Sequence, residues 1–175
     1  SFADEKRSGT LELLLTKPLS LWQILLGKYI VNLMLLLTAL LPTVVYFFAI
    51  DALKLGDNPI DWGSAISAYW GLLCVGASFI ALGILSALLT KSQATAFMLA
   101  LLLCFVQFYV WKGIADLMQD QSLYRFFNAV GIFDHYLQLR QGVITLKDTV
   151  YFLGFNYIVL YISKQLLNNI KNQEL

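Results

Sequence analysis

Few residues in this sequence have the types and spacing that chemistry requires. His135 follows Asp134, and such a pair can take part in acid–base catalysis or in sensing pH. No serine or cysteine nucleophile with a plausible geometry lies near it, and no second metal ligand accompanies it. We therefore expect His135 to be a structural residue, and we predict neither a catalytic site nor a metal site.

The two cysteines and the single glycine-lysine pair give no catalytic motif either. Cys74 and Cys104 each lie inside an apolar run, where a thiol usually behaves as a small buried hydrophobic group. The chain has no Gly-Lys-Ser/Thr phosphate loop, and Gly27-Lys28 stands at the beginning of an apolar helix rather than after a strand. We therefore expect no cofactor on this chain and no hydrolysis of ATP by it.

Composition indicates a membrane protein rather than a soluble enzyme. Hydrophobic residues make up 59% of the chain and charged residues 13%, with a mean hydropathy of +0.70, whereas soluble domains contain about 25% charged residues. The net charge is +1 at pH 7 and no basic stripe is present. A nucleic-acid partner is therefore not expected, and the lipid bilayer is.

Four apolar runs are long enough to cross a bilayer, which needs about 20 residues of helix. The fold class predicted from them is all-α, a polytopic bundle of transmembrane helices. The short TKSQ connection between the second and third runs makes those two helices antiparallel neighbours. The runs cover residues 26–50, 68–89, 94–111 and 146–167, and the segment 112–145 between the last two predicts one or two short amphipathic helices on the outer surface.

The distribution of lysine and arginine predicts the orientation of these helices. The side of the membrane that holds residues 1–25 has an excess of basic residues, and the opposite side has an excess of acidic ones. Because cytoplasmic loops are enriched in lysine and arginine, we expect both termini of this chain to lie in the cytoplasm.

The second run contains small residues spaced four apart, an arrangement that allows helices to approach closely in lipid. Such a surface either slides during transport or packs statically, and the sequence leaves both interpretations open. The residues are Cys74, Ala77, Ser78, Ala81, Gly83 and Ala87.

One proline and three amides interrupt the apolar runs. Pro42 removes a backbone hydrogen bond in the outer half of the first run, so a kink is expected there. Asn32, Gln107 and Asn156 are expected to form hydrogen bonds between helices. No Asp, Glu, Arg or His lies deep in any run, so the sequence offers no evident carrier for ions or protons.

The N-terminal stretch places charges and an apolar hexapeptide directly before the first run. The residues TLELLL, from Thr10 to Leu15, predict a short helix, Pro18 ends it, and Ser20 is a cap for the next helix. A helix of this kind lies at the membrane surface and either anchors the chain or docks a soluble partner. The residue types alone leave these two interpretations open.

The stretch EKRSGTLELLLTKPLSLWQILLGKY resembles the segment that marks ABC-2 type permeases, the membrane subunits of one class of ABC transporter. Near the other end, GIFDHYLQLRQGVITLKDTVYFLGF is similar to the outer segment and last span of that family, with Arg140, Gly142, Val143 and Asp148 in the expected order. Within the family, the chain is most similar to permeases of gliding-motility-associated transporters. The elements shared at the N-terminal end are Glu5, Lys6, Gly9 to Glu12, Pro18, Gly27 and Lys28.

The resemblance implies a subunit of six spans, of which this chain is the C-terminal part with the last four. It implies that residues 1–25 contain a coupling helix that sits in a groove of a separate ABC ATP-binding subunit, which holds ATP and Mg²⁺. A second permease subunit or a second copy of this chain completes the transporter in the bacterial inner membrane. The residues assigned to coupling are Glu5, Lys6, Gly9, Thr10, Leu11, Glu12, Leu13, Leu14 and Pro18.

The function expected on this basis is that of a permease subunit in an ATP-driven exporter linked to bacterial gliding motility. The alternative is a membrane scaffold or assembly subunit of a motility or secretion machine that moves no substrate. An intramembrane enzyme is the weakest interpretation, because it would need polar catalytic groups inside the apolar runs.

Overall fold

The structure is a computed structural model that describes residues 2–10, 19–53, 61–142 and 144–174. Within these residues the chain is helical and has no strands, which confirms the all-α class and the polytopic bundle. The helices are α1 (Phe2–Arg7), α2 (Leu21–Leu53), α3 (Trp62–Leu89), α4 (Gln93–Leu117), α5 (Gln121–Val130), α6 (Ile132–Arg140) and α7 (Leu146–Glu174).

Four of these helices, α2, α3, α4 and α7, are long and apolar enough to cross a membrane. They extend past the apolar runs that predicted them: α2 begins at Leu21 rather than Leu26, and α4 ends at Leu117 rather than Trp111. The apolar run marks the part of a helix that lies in lipid, whereas the helix continues through interfacial residues until a cap or a turn ends it.

Side-chain caps set the beginnings of two spanning helices. The Gln23 N–H donates to Ser20 Oγ at 3.2 Å, and the Ser20 N–H donates to Gln23 Oε1 at 2.9 Å, which makes a capping box. The predicted cap at Ser20 is thus confirmed. At the beginning of α3, Asp61 Oδ1 accepts from the Ser64 N–H at 3.1 Å.

Helix α3 is the centre of the bundle and packs against α2, α4, α6 and α7. Its closest approaches are at two glycines. A Cβ at Gly76 would collide with the side chain of Leu36 in α2, and a Cβ at Gly71 would lie 3.0 Å from the Cβ of Leu139 in α6. A side chain at either position would require Leu36 or Leu139 to shift, so the two glycines allow α2 and α6 to pack closely on α3.

Helix α2 runs without a break through Pro42. Proline lacks an N–H, so one hydrogen bond of the helix is missing there. The Thr43 hydroxyl donates to the Leu40 carbonyl at 2.6 Å, and it lies 2.7 Å from the hydroxyl of Tyr69 in α3. These contacts hold the helix to α3 next to the proline, while the kink itself stays a prediction.

Helix α4 contains a π-helical turn at Val106–Val110. A π turn holds one more residue than an α turn and widens the helix locally. Before this turn α4 packs against α3, and after it α4 packs against α5.

The two ends of the bundle are built differently. The α1 end carries α1, Ser20 and the last turn of α3 at Leu88. The hairpin end carries the hairpin formed by α5 and α6, together with Thr145 at the beginning of α7.

The hairpin confirms the prediction of short helices between the last two spans, and α6 is more deeply packed than α5. No residue of α5 is buried. In α6, Ile132 and Leu139 are fully buried and pack with Val75 of α3 and Phe152 of α7. Helix α6 is therefore amphipathic, and its apolar residues fill a space between spanning helices that Gly71 leaves open. The position of the hairpin on the outer side of the membrane stays a prediction.

Candidate functional site

At the α1 end, helix α1 is built into the hydrophobic core rather than lying free. The side chains of Phe2 and Ala3 are buried and belong to the same apolar cluster as Leu25 of α2, Leu88 of α3 and Ala96 of α4. Removing such groups from water stabilises their position by about 1.5–3 kcal/mol for a residue the size of phenylalanine. Burial of Phe2 and Ala3 therefore fixes one face of α1.

The charged residues of α1 contact two different spanning helices. Glu5 forms an ion pair with Lys28, near the beginning of α2, and the Lys28 Nζ also lies 4.2 Å from the centre of the Phe2 ring. The Lys6 Nζ donates to the carbonyl oxygen of Leu88 at 2.7 Å. That carbonyl lies at the C-terminal end of α3, where helix carbonyls have no partner within the helix and attract positive charge.

The chain turns directly after α1. The Ser8 hydroxyl contacts the Asp4 carbonyl at 2.9 Å and the Thr10 hydroxyl at 2.8 Å. Gly9 has a φ of +70°, a conformation that residues with a side chain rarely adopt. Gly9 and Thr10, both assigned to coupling from the sequence, therefore form the turn that leads away from α1. The other residues of that set, Leu11, Glu12, Leu13, Leu14 and Pro18, lie outside the described residues.

The small residues of α3 occupy three kinds of position. Ser78, Ala81 and Ala87 are buried in the bundle. Cys74 and Ala77 line an apolar cleft, and Gly83 has open space where a side chain would be.

This cleft, of about 440 Å³, lies between α2, α3 and α7. Its polar groups are bonded to one another: the Tyr29 hydroxyl donates to Asn156 Oδ1 at 3.1 Å, and Asn156 Nδ2 donates to Ser78 Oγ at 3.2 Å. These bonds join all three helices and confirm the prediction for Asn156. A cleft with apolar walls can hold an apolar group, and the residues that line it include no carboxylate, imidazole or amine.

The other two amides differ from each other. Gln107 bonds between elements, because its Nε2 donates to the Val130 carbonyl of α5 at 2.7 Å. Asn32 instead donates to the Lys28 carbonyl of its own helix at 2.7 Å. The prediction of an interhelical bond is therefore wrong for Asn32, whose side chain is exposed.

At the hairpin end a buried polar network joins α5, α6 and α7. His135 Nδ1 lies 2.6 Å from Asp148 Oδ1, and the Thr145 hydroxyl donates to Asp148 Oδ2. His135 Nε2 faces the Ala129 carbonyl at 3.3 Å, and the imidazole stacks on the Tyr151 ring with 3.9 Å between centres. The carboxylate thus has a partner at each oxygen, and the imidazole has an acceptor at each nitrogen.

The same network continues to the π turn of α4. The Tyr151 hydroxyl donates to the Val130 carbonyl at 2.6 Å, next to the bond from Gln107. Trp111 Nε1 in turn donates to Gln107 Oε1 at 3.0 Å. The carbonyls at the C-terminal end of α5 are therefore paired with side chains from α4, α6 and α7, which locks the hairpin onto the spans.

The sequence interpretation of His135 paired it with the wrong residue. Asp134 faces Lys112 at 3.6 Å, whereas the partner of His135 is Asp148. The charge distribution places Asp148 with the acidic residues on the side opposite residues 1–25, yet its side chain is completely buried. The sequence does contain a signal that Asp148 belongs to the first turn of a helix, because Thr145 and Asp148 have the spacing of a capping box. In the structure the Asp148 N–H donates to Thr145 Oγ1 at 3.2 Å.

The network has the form of a structural joint. Within the described part of the chain, no group of three or more His, Cys, Asp or Glu side chains is placed to hold a metal ion. His135 and Asp148 are enclosed by protein, with 6% and 0% of their side chains exposed, so a substrate has no direct access to either. The arrangement can hold the α5–α6 hairpin in place, and it brings no nucleophile next to the imidazole.

A comparison with protein-family models gives a match over nearly the whole chain. The model described as ABC-2 family transporter protein matches residues 1–167, which include α1, the hairpin and most of α7. No curated protein and no solved structure matches the chain. The chain therefore belongs to the ABC-2 family of transporter proteins, multi-pass membrane proteins that act as ABC transporter permeases.

Proposed function

We propose that this permease couples ATP hydrolysis on a separate ABC ATP-binding subunit to the movement of a substrate across the membrane. Membership of the ABC-2 family implies association with such a subunit. The observation that carries the proposal is the position of α1: it contains the first residues of the stretch that resembles the family's coupling segment, and it packs on the ends of spanning helices. A partner that moves this segment would move the bundle with it.

The coupling surface consists of residues 1–25, with Gly9, Thr10, Glu12 and Pro18 among the residues that shape it. The ATP-binding subunit holds ATP and Mg²⁺, and a second permease subunit or a second copy of this chain completes the transporter. Both termini of the chain face the cytoplasm. The excess of lysine and arginine on the α1 side of the spans supports this orientation.

The finer assignment is an exporter of the bacterial inner membrane that serves gliding motility. Its support is the resemblance of the N-terminal stretch and of the segment around His135 to the gliding-motility permease GldF. A scaffold that assembles a motility machine without moving a substrate is the alternative that the experiments have to separate from transport.

The first test is co-purification from membranes with the ABC ATP-binding subunit. We expect the parent protein to retain the subunit and Glu12→Arg to lose it, because a carboxylate in a docking segment is replaced by a longer cation. Lys91→Gln is the matched control, since Lys91 is exposed in the turn between α3 and α4. A parent protein that never retains the subunit contradicts the proposal.

The second test uses an ATP-binding subunit whose hydrolysis is disabled by mutation. A transporter loses its cellular function with this partner, whereas a scaffold keeps it. Gliding that persists with the disabled partner would therefore exclude the transport role and favour the scaffold.

A further inference from the structure

We infer that Glu5 and Lys6 are positioning residues that tie α1 to the spans α2 and α3, and that they are not contacts for the ATP-binding subunit. The sequence motif alone places both residues in the docking surface. The structure instead directs each of them to a different spanning helix of their own chain. The inference rests on the proposed function, since it names the residues through which that function passes a displacement to the membrane.

The Glu5 carboxylate is directed into the bundle. One of its oxygens, Oε1, pairs with Lys28 of α2. The other, Oε2, is buried and has no hydrogen-bond partner in the part of the chain that the structure describes. A carboxylate placed in this way depends on Lys28 for compensation of its charge.

Lys6 binds the C-terminal end of α3, whereas Glu5 pairs with a residue near the N-terminal end of α2. Its ammonium group donates to the Leu88 carbonyl, in the last turn of α3, where it also meets the negative end of the helix dipole. Glu5 therefore contacts the beginning of α2 and Lys6 contacts the end of α3. Two neighbouring residues of one short helix thus reach two antiparallel spans.

The buried face of α1 adds a third connection to α2 and α3, so that a movement of α1 displaces these helices. Phe2 and Ala3 are held in the apolar cluster that contains Leu25 and Leu88, so α1 cannot slide without displacing the same two spans. A force applied beyond Gly9 then reaches α2 and α3 through the Glu5–Lys28 ion pair, the bond from Lys6 to the Leu88 carbonyl and the packed Phe2 ring.

The ties predict an asymmetry between the two partners of the ion pair. Lys28→Gln leaves the Glu5 carboxylate partly buried without its cation. Glu5→Gln leaves Lys28 over the Phe2 ring and close to the membrane surface, where a lysine can extend toward water. We expect the larger drop in melting temperature for Lys28→Gln.

The decisive experiment measures the movement of the far end of α2 in the full complex. Spin labels replace Leu53 and Leu146, which are exposed at the hairpin end, in a background where Cys74 and Cys104 are alanine. Distances between the labels are recorded without nucleotide and with ATP, Mg²⁺ and vanadate. The variants are Glu5→Gln and Lys6→Met, with Lys91→Gln as the control at the same end of the bundle.

A transmission role predicts a nucleotide-dependent distance change in the parent and in the Lys91→Gln control. In Glu5→Gln and Lys6→Met the change is lost, while the ATP-binding subunit still co-purifies. Reversal of the pair, with Glu5→Lys and Lys28→Glu together, restores part of the change. A merely structural role would instead lower complex formation and the distance change together.

Two results overturn the inference, and they differ in whether the proposed function also fails. If Glu5→Gln and Lys6→Met lose the ATP-binding subunit, and a spin label at Thr10 of the isolated chain is no more mobile than in the parent, the two residues are docking contacts. The proposed function then stands. If the parent itself retains no ATP-binding subunit, the proposed function fails and the transmission role fails with it.

Discussion

The two ends of this permease hold their short helices by opposite means. At the α1 end, the ion pair of Lys28 and Glu5 has 25% and 28% of its side chains exposed. At the hairpin end, the pair of His135 and Asp148 has 6% and 0% exposed. Exposed pairs contribute about 0–1 kcal/mol and removing one partner of a buried pair costs about 3–5 kcal/mol, so the part-buried pair at the α1 end lies between these limits. The α1 end is therefore held less tightly than the hairpin end.

The largest effect is expected at Asp148. Replacement by alanine removes the partner of the buried His135 Nδ1 and of the Thr145 hydroxyl at once, and His135 keeps only the Ala129 carbonyl at Nε2. We expect a loss of about 3–5 kcal/mol in stability, measured as a drop in melting temperature in detergent. Asp134→Ala is the matched control, because Asp134 is partly exposed and faces Lys112 at 3.6 Å. Equal drops for the two variants would refute the contrast between the ends.

The second effect concerns Gly142, which follows α6 with a φ of +88°. A Cβ there would lie 2.7 Å from Ser64 Oγ of α3, so Gly142→Ala adds a clash to a strained backbone. We expect a loss of about 1–2 kcal/mol from the backbone alone, and more with the clash. The control is Gly154→Ala, which has open space and an ordinary helical backbone and should not lower the melting temperature.

A smaller effect is expected for the corresponding glycine at the other end. Gly9 has a φ of +70°, and a Cβ at this position would meet nothing within 4 Å. Alanine therefore adds strain of about 1–2 kcal/mol without a clash. The strain is confined to the turn after α1, and we expect little change in melting temperature but weaker co-purification of the ATP-binding subunit. Gly27→Ala, which also meets open space but has an ordinary backbone, is the control. Unchanged co-purification would show that this turn does not shape the coupling surface.

The smallest effect is expected at Asp61, and it tests whether stability depends on the burial of a residue or on the end of the bundle where the residue lies. Asp61 lies at the hairpin end but is exposed, and hydrogen bonds from the Ser64 side chain and backbone lower its pKa below the usual 3.8. Because the pKa of Asp61 is lower in the folded state, the ionised carboxylate stabilises α3 at pH values above 3.8, its unfolded-state pKa. This contribution disappears as the pH falls below 3.8 and through the folded-state pKa. We expect the protection factor of the Ser64 amide, which is its intrinsic exchange rate divided by the observed rate at the same pH, to fall on acidification, and Asp61→Asn should remove this pH dependence. A large loss of global stability over that range would mean that position, and not exposure, decides.

The sequence predicts the spans well because lipid imposes a simple rule on apolar length. It also predicts the Ser20 cap and the interhelical bonds of Gln107 and Asn156, which follow from residue type and local spacing. The buried position of Asp148 is not predicted, because it depends on an imidazole thirteen residues earlier in the chain. Charge counting places such a residue among the acidic groups on one side of the membrane, and it does not show that tertiary packing buries the side chain.

The sites at the two ends show the same limit. Residue types indicate that Glu5 and Lys6 belong to a charged segment, but they do not indicate which helix each one contacts. The placement of α6 is also set by distant residues, since it needs the space at Gly71 on another helix. Local chemistry therefore identifies the elements, and contacts between elements assign the roles.

The π turn in α4 changes the direction in which the side chains of this helix point. Successive residues of an α-helix are rotated by about 100°, so one inserted residue turns everything beyond it toward a new direction. Before Val106 the helix packs mainly against α3 and also contacts α1, whereas from Trp111 onward it packs against α5 of the hairpin. One continuous helix in this way serves two neighbours that lie on different sides of it.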